Sequence, residues 1–158
     1  MGMAELEQAL EAVRDSDRAH FVGPREPTLV AAAEEALGVP LPPTYRRFIT
    51  ELGAGSVGGL EFYGAIDENF VDSSIPDGIW LTLDERERFG LPKHLVIVRE
   101  TGMGEHYVLD TSRRDDIGES PVAIWVAGQS QEGDDLEVVA PDFGSFFWEA
   151  LQQVFGPR

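Results

Sequence analysis

The spacing of hydrophobic residues changes along the chain from a helical pattern to a strand pattern. This order is the feature that most constrains the fold. Helical spacing dominates the first third, where we predict helices over residues 4–14, 28–37 and 41–52. In the third of these, aromatic and aliphatic residues recur on one face, and Gly53 is placed to end the helix. Short apolar runs of strand type follow only after this helical third. The sequence therefore predicts separate blocks of helices and strands.

The rest of the chain carries short strand-like runs and closes with an aromatic helix. Residues 79–88 are predicted to form one or two helical turns, and Asp142 is predicted to cap a final helix over residues 143–154. Strand-like runs occupy residues 60–63, 95–98, 107–109, 122–126 and 136–139. Elements segregated in this way indicate an α+β domain. We expect a mostly antiparallel sheet of about four to six strands, with the N-terminal and C-terminal helices packed on it.

The length of the chain suits a single domain. A chain of 158 residues is long enough to bury one core and short for two. No internal repeat or convincing linker divides it. We expect residues 1–26 to be an N-terminal helical extension, loosely attached, and residues 27–158 to be the main body of the domain.

The acidity of the chain restricts the partners it can bind. Asp and Glu number 29 against 12 Lys and Arg, which gives a formal net charge of −17 at pH 7. Such a field repels nucleic acid and anionic membranes, whereas it speeds the encounter with basic proteins. A solvated, halophile-like surface is the alternative explanation. The charge therefore favours a basic protein partner, with no nucleic acid and no membrane.

The composition also predicts a compartment. The chain has no cysteine, so disulfide and thiolate chemistry are excluded. The first 17 residues lack the features of a signal peptide, and no apolar run approaches the roughly 18 residues of a membrane span. The cytoplasm is the expected location. Lys93 is the only lysine among the basic residues, and this arginine bias indicates a bacterial source.

Four patterns resemble catalytic or cofactor sites, but the residues around them do not support such a site. The GxGxxG pattern at 53–58 follows a helix rather than a strand, so its glycines are predicted to cap that helix and build a turn. The three histidines are too dispersed for a zinc site, and residues 132–137 lack the ligand spacing of a calcium loop. The triplet at 142–144 resembles the metal-binding motif of kinases, but no other kinase motif accompanies it. We therefore expect no cofactor, no metal and no catalytic residue. A hydrolase using His106 beside Glu105 is the competing interpretation, although a surface strand position explains His106 equally well.

Acidic residues concentrate in two predicted loop regions. One precedes the helix predicted at 79–88, and the other flanks Trp125, where residues 102–142 hold ten acidic residues against two arginines. Loops of this kind often present binding residues. Simple solvation of the loops is the alternative. The predicted partner-binding residues are Asp67, Glu68, Asp72, Asp77, Asp115, Asp116, Glu132, Asp134 and Asp135.

Residues 35–49, EALGVPLPPTYRRFI, resemble the signature of the SUKH superfamily, which contains the fungal Smi/Knr cell-wall regulators and many bacterial immunity proteins. In that pattern an acidic helix ends in Leu-Gly and is followed by Leu-Pro, a Tyr, a basic residue and Phe. Further matches are the glycine turn at 53–59, the runs at 95–98 and 104–110, Pro121 to Trp125, and the last helix from 143. The resemblance covers roughly residues 27–155.

This resemblance implies an α+β domain that binds proteins, since the matching positions are structural and none is catalytic. In bacteria it implies an immunity protein that neutralises a cognate toxin, often a nuclease, by covering its active site or substrate path. A regulatory or scaffold module with an endogenous partner is the alternative, as in the fungal relatives. The sequence makes no prediction of the oligomeric state.

Overall fold

In the computed structural model, which describes residues 2–156, helices and strands are segregated much as the sequence predicts. The helices are α1 (Gly2–Arg14), α2 (Pro27–Leu37), α3 (Pro43–Leu52), α4 (Gly78–Phe89) and α5 (Phe143–Phe155). The strands are β1 (Ala19–Phe21), β2 (Gly55–Val57), β3 (Leu60–Phe62), β4 (Leu95–Glu100), β5 (Glu105–Asp110), β6 (Val122–Val126) and β7 (Val138–Ala140). Met1, Pro157 and Arg158, which fall in the predicted extension and main body, lie outside the described residues.

The strands form two antiparallel sheets instead of the single sheet that we expected. One has the order β1-β2-β3 and the other the order β4-β5-β6-β7. A hydrogen bond from the Tyr63 amide to the Val98 carbonyl, 2.8 Å long, joins the end of β3 to β4. The α+β class and the antiparallel pairing are confirmed, while the division into two sheets is new.

The four-stranded sheet is covered by helices on both faces. Because side chains alternate along a strand, β4 and β5 each send residues to two cores. Leu95, Ile97 and Val108 pack with Leu81 of α4, in a cluster that also contains Trp125. Residues from the opposite face join a larger aromatic core with α1, α3 and α5, including Val96, Val98, Leu109, Phe143, Phe146 and Phe147. This layering fixes the sheet, so the loops at its ends have rigid bases.

The N-terminal segment is part of the core, contrary to the loosely attached extension that we expected. Leu6 and Leu10 of α1 are fully buried, and α1 packs along α5. The two helices approach so closely that a Cβ added to Gly144 would lie 2.2 Å from the Gly2 carbonyl oxygen. In addition, β1 supplies an edge strand to the three-stranded sheet. Residues 2–26 therefore complete the domain.

The predicted ends of several helices are confirmed. Gly38 adopts a left-handed conformation with φ of 75° after α2, and Gly53 follows α3. The Asp142 carboxylate accepts a hydrogen bond from the Ser145 amide, 2.7 Å long, so the kinase-like triplet is the start of α5. Within residues 2–156, none of the helices has both the length and the apolar character needed to cross a bilayer.

Candidate partner-binding surface

The loop between β5 and β6 presents two of the predicted acidic residues at an ordered tip. Asp115 Oδ1 accepts hydrogen bonds from the Ile117 amide (3.0 Å) and the Glu119 amide (2.9 Å), which closes a tight turn. Asp116 and Ile117 project from this turn and are exposed. Asp115 thus shapes the loop, and its neighbour Asp116 is available for contact.

The base of this loop is fastened to two helix N-termini. Glu119 is only 3% exposed, and its carboxylate accepts from the Thr44 amide and from Thr44 Oγ1, both at 2.9 Å. Thr44 Oγ1 in turn accepts from the Gly144 amide at 3.2 Å. Glu119 therefore caps α3, whose own N-cap, Pro42, has no side-chain hydrogen bond to offer. Burial raises the pKa of Glu119, while the two hydrogen bonds from Thr44 act in the opposite direction.

A second acidic loop, between β6 and β7, is held beside the first one. Glu132, Asp134 and Asp135 are exposed, and Asp134 Oδ2 accepts from the Gln131 amide at 2.8 Å. Arg113 bridges the two loops, since its Nη2 lies 2.6 Å from Asp135 Oδ1 and its Nε lies 3.2 Å from Asp110 Oδ2. The two loops, linked by this ion pair, carry five of the predicted residues, and we term them together the bridged acidic surface: Asp115, Asp116, Glu132, Asp134 and Asp135.

The third acidic loop precedes α4. Asp67 Oδ1 accepts from the Asn69 amide at 2.9 Å, and Asn69 Nδ2 donates to the Asp72 carbonyl at 3.0 Å. Glu68 and Asp72 are exposed. The described contacts of this loop run to α4, where Phe70 and its neighbours border a shallow groove of about 130 Å³. Its acidic residues therefore belong to a surface built on α4.

Asp77 is not available for contact with a partner, because its side chain is buried. Its Oδ1 accepts from the amides of Ile79 and Trp80, both at 3.0 Å, so Asp77 is the N-cap of α4. Burial raises the pKa of the carboxyl group, and the hydrogen bonds to it oppose this effect. The signal was present in the sequence, since Asp immediately before an apolar helical run is typical of an N-cap.

His106 is buried, which corrects the surface position that we expected. Its Nε2 lies 3.3 Å from Glu85 Oε1 and its Nδ1 lies 3.6 Å from Glu100 Oε2. Glu105, the partner suggested by the sequence, is the neighbouring strand residue and points to the other face. Burial raises the pKa of Glu85, and the proximity of His106 opposes this rise. A His106 side chain that is only 7% exposed offers little access to a substrate.

One cross-strand row was missed by the sequence analysis. His20, Ser56 and Glu61 are paired in register across β1, β2 and β3, and all three line an open groove of about 580 Å³. Ser56 occupies the middle strand, so the histidine does not lie between the hydroxyl and the carboxylate as in a Ser-His-Asp triad. Strands of three residues are too short to show the alternation that would have predicted this row.

Metal binding finds little support in the described part of the chain. Within residues 2–156, no three His, Asp or Glu side chains are grouped so that they could hold a metal ion. The loops present exposed carboxylates, whereas the buried carboxyl groups Asp77 and Glu119 cap helices and His106 lies beneath α4.

Two comparisons place these features among known proteins. The sequence pattern that defines SUKH_5, a family described as SMI1-KNR4 cell-wall, matches residues 3–152 and thus includes almost all of α1. A crystal structure of a protein from Pseudomonas syringae pv. tomato is similar, with a TM-score of 0.56 over 80% of this chain and 89% of that chain. The two sequences are 18% identical, so this likeness concerns the fold alone.

Proposed function

Because the chain belongs to the SUKH_5 family of SMI1-KNR4 proteins, we propose that it is a non-catalytic protein-binding module that acts as a bacterial immunity protein. Its partner is a basic toxin, of which a nuclease is the best-fitting class. The protein binds this toxin in the cytoplasm and blocks its active site or the path of its substrate. The acidic loops supply the contact surface.

The bridged acidic surface is the observation that carries this proposal. Its five carboxylates are exposed, and Arg113 is the only basic side chain in an ion pair with one of them among the described residues. Asp115 and Asp134 are held by amide hydrogen bonds and Asp135 by its ion pair with Arg113, so these three charges are presented in defined positions. A fixed array of carboxylates is complementary to the basic groove with which a nuclease binds phosphates.

The charge acts before contact is made. A net charge of −17 produces a field that attracts a basic partner and increases the rate of association. Screening weakens such a field, since the Debye length is about 8 Å at physiological ionic strength. Rapid association is useful to an immunity protein, because an unbound toxin is active in the cell that makes it.

The proposal predicts that a gene beside this one encodes a secreted protein with a toxin-like C-terminal domain, and the test uses that domain. Its association rate is measured at several salt concentrations with the wild-type protein and with a double charge reversal of Asp116 and Glu132 to Lys, two exposed residues whose side chains do not hold the loops in shape. The matched control reverses two exposed helical acids to Lys, namely Glu11 and Glu35. Both variants change the net charge equally. A difference between their association rates therefore reflects where the reversed charges lie and not how many were reversed.

We expect the loop variant to associate at least about tenfold more slowly than the control variant. Equal effects of the two variants would show that the loops are not the contact surface. Failure of the wild-type protein to bind this domain, together with capture of an endogenous enzyme or chaperone, would overturn the immunity function in favour of a regulatory module.

A further inference from the structure

We propose that Ile117 is the apolar anchor of the bridged acidic surface and that it inserts into an apolar recess surrounded by basic residues on the partner. This inference rests on the proposed function and specifies the shape and chemistry of the partner's binding site. It also assigns different roles to the acidic residues of the loop, which attract the partner, and to Ile117, which holds it.

Ile117 is exposed in a position where a soluble domain gains nothing from it. Its side chain is 66% exposed, at the tip of the loop, and it directly follows Asp115 and Asp116. An isolated exposed apolar residue is common on protein surfaces. An exposed β-branched residue on an ordered tip beside carboxylates, however, has the arrangement of an interface centre with a polar rim.

The loop that carries Ile117 is organised before any partner arrives. The Ile117 amide is bonded to Asp115, and Glu119 fastens the loop to Thr44. On the other side, Arg114 Nη2 donates to the Pro40 carbonyl at 2.8 Å and its Nε donates to the Thr111 carbonyl at 3.1 Å. Binding therefore costs little conformational entropy in this loop, which favours it as the place for a tight contact.

Val71 is the most exposed large apolar residue of the acidic loop before α4, at 89%, and Ile75 of the same loop is 44% exposed. Its loop is held by the hydrogen bonds of Asn69, which connect residues of the same segment. The loop of Ile117 is instead fastened to α3 and to the segment before it, through contacts that span 74 or 75 residues. The more firmly placed side chain is the better anchor, so the structure assigns this role to Ile117.

Electrostatic and apolar contacts are expected to affect different rate constants of binding. Charges at the rim of an interface act mainly on the association rate, whereas a buried anchor acts on the dissociation rate. The partner's site is accordingly expected to combine Lys or Arg side chains, facing Asp116 and Asp135, with a recess that accepts an isoleucine side chain. Replacement of Ile117 should leave the association rate unchanged and shorten the lifetime of the complex.

The experiment measures the binding kinetics of the same neighbouring toxin domain with Ile117→Ser, Ile117→Val and Met103→Ser. Met103 is 86% exposed in the turn between β4 and β5, so its replacement controls for the loss of an exposed apolar side chain elsewhere. We expect Ile117→Ser to dissociate about 30-fold faster with an unchanged association rate. Ile117→Val and Met103→Ser should remain within about threefold of the wild-type rate.

Unchanged dissociation of Ile117→Ser, in a protein whose loop charge reversal slows association, would overturn the anchor and leave the proposed function standing. No binding by the wild-type protein would overturn both. Thermal unfolding of Ile117→Ser is measured in parallel, and its midpoint should match the wild-type midpoint because the side chain is exposed.

Discussion

Thr44 connects parts of the chain that are far apart in sequence. Its amide and hydroxyl both donate to Glu119, which is 75 residues away, and its hydroxyl oxygen accepts from the Gly144 amide, 100 residues away. The start of α3, the base of the loop between β5 and β6, and the start of α5 therefore meet at one buried point. A carboxylate at helix N-termini is favourably placed in their electric field, which offsets part of the cost of its burial.

Glu119 makes the stability of the protein depend on pH. Burial raises its pKa in the folded state above the ordinary value of 4.5, so the folded protein binds more protons than the unfolded chain between these two values. Its contribution to stability is therefore fully present below pH 4.5 and is lost as the pH rises through the folded-state pKa. In Glu119→Gln this dependence is absent. The stability of the wild-type protein relative to Glu119→Gln should increase as the pH is lowered from the neutral range towards 4.5.

Urea unfolding of both proteins at several pH values between about 4.5 and 7.5 checks this prediction. Other titrating groups are common to the two proteins, so their effects cancel in the difference. A constant difference across this range would show that the Glu119 carboxyl group keeps an ordinary pKa in the folded protein.

At the scale of elements, α4 depends on a cap that comes from within an acidic loop. Asp77 supplies one oxygen to two amides of the first turn, and its other oxygen is buried without a hydrogen-bond partner among the described residues. Asp77→Ala removes the acceptor and should lower the free energy of unfolding by about 1–2 kcal/mol. Asp77→Asn keeps the acceptor and removes a buried charge, so it should retain most of the stability.

Urea unfolding at pH 7 distinguishes these two variants. The Asn variant serves as the matched control, because it has nearly the same shape as the wild-type side chain. Equal losses in Asp77→Ala and Asp77→Asn would indicate that the negative charge, and not the acceptor, stabilises the start of α4.

The elements that the sequence predicted well are those with long periodic patterns. The five helices and the strands β4 to β6 all contain enough residues for spacing to be visible. β1 and β2 were missed, because strands of three residues carry no measurable alternation and their pairing depends on residues far away in sequence. The one or two helical turns predicted within residues 79–88 are a continuous 12-residue helix, α4, whose cap at Asp77 had been assigned to a surface loop.

The candidate site was predictable in composition but not in arrangement. Acidic loops can be counted in the sequence, and eight of the nine predicted residues are exposed in the structure. The sequence could not show that Arg113 joins two of the loops or that His106 lies between Glu85 and Glu100. Both arrangements depend on contacts between elements, which hydrophobic spacing does not encode. The cap at Asp77 is local, and the sequence carried its signal.

At the scale of the whole molecule, the charge acts on stability as well as on association. With 29 acidic residues against 12 basic ones, the folded state is destabilised by repulsion between like charges. Added salt screens this repulsion. The midpoint of thermal unfolding of the free protein should therefore rise as NaCl is increased from about 10 to about 200 mM, a range over which the Debye length falls from about 30 Å to below 10 Å.

Calorimetry of the free protein across this salt series gives the direct measurement. Salt should act in opposite directions on the two properties, stabilising the fold while slowing the association with a basic partner. A midpoint that falls with added salt would show that ion pairs such as those of Arg113 outweigh the general repulsion.

The loop between β5 and β6 combines a fixed base with an exposed tip within a few residues. Its base is tied to the rest of the domain by Glu119 and Arg114, whereas Asp116 and Ile117 at its tip are exposed. Substitutions at these two positions should therefore leave the fold intact. Under the proposed function, they would change which protein is bound, so a lineage could follow a changing toxin by small steps and an engineer could retarget the domain by randomising the same two positions.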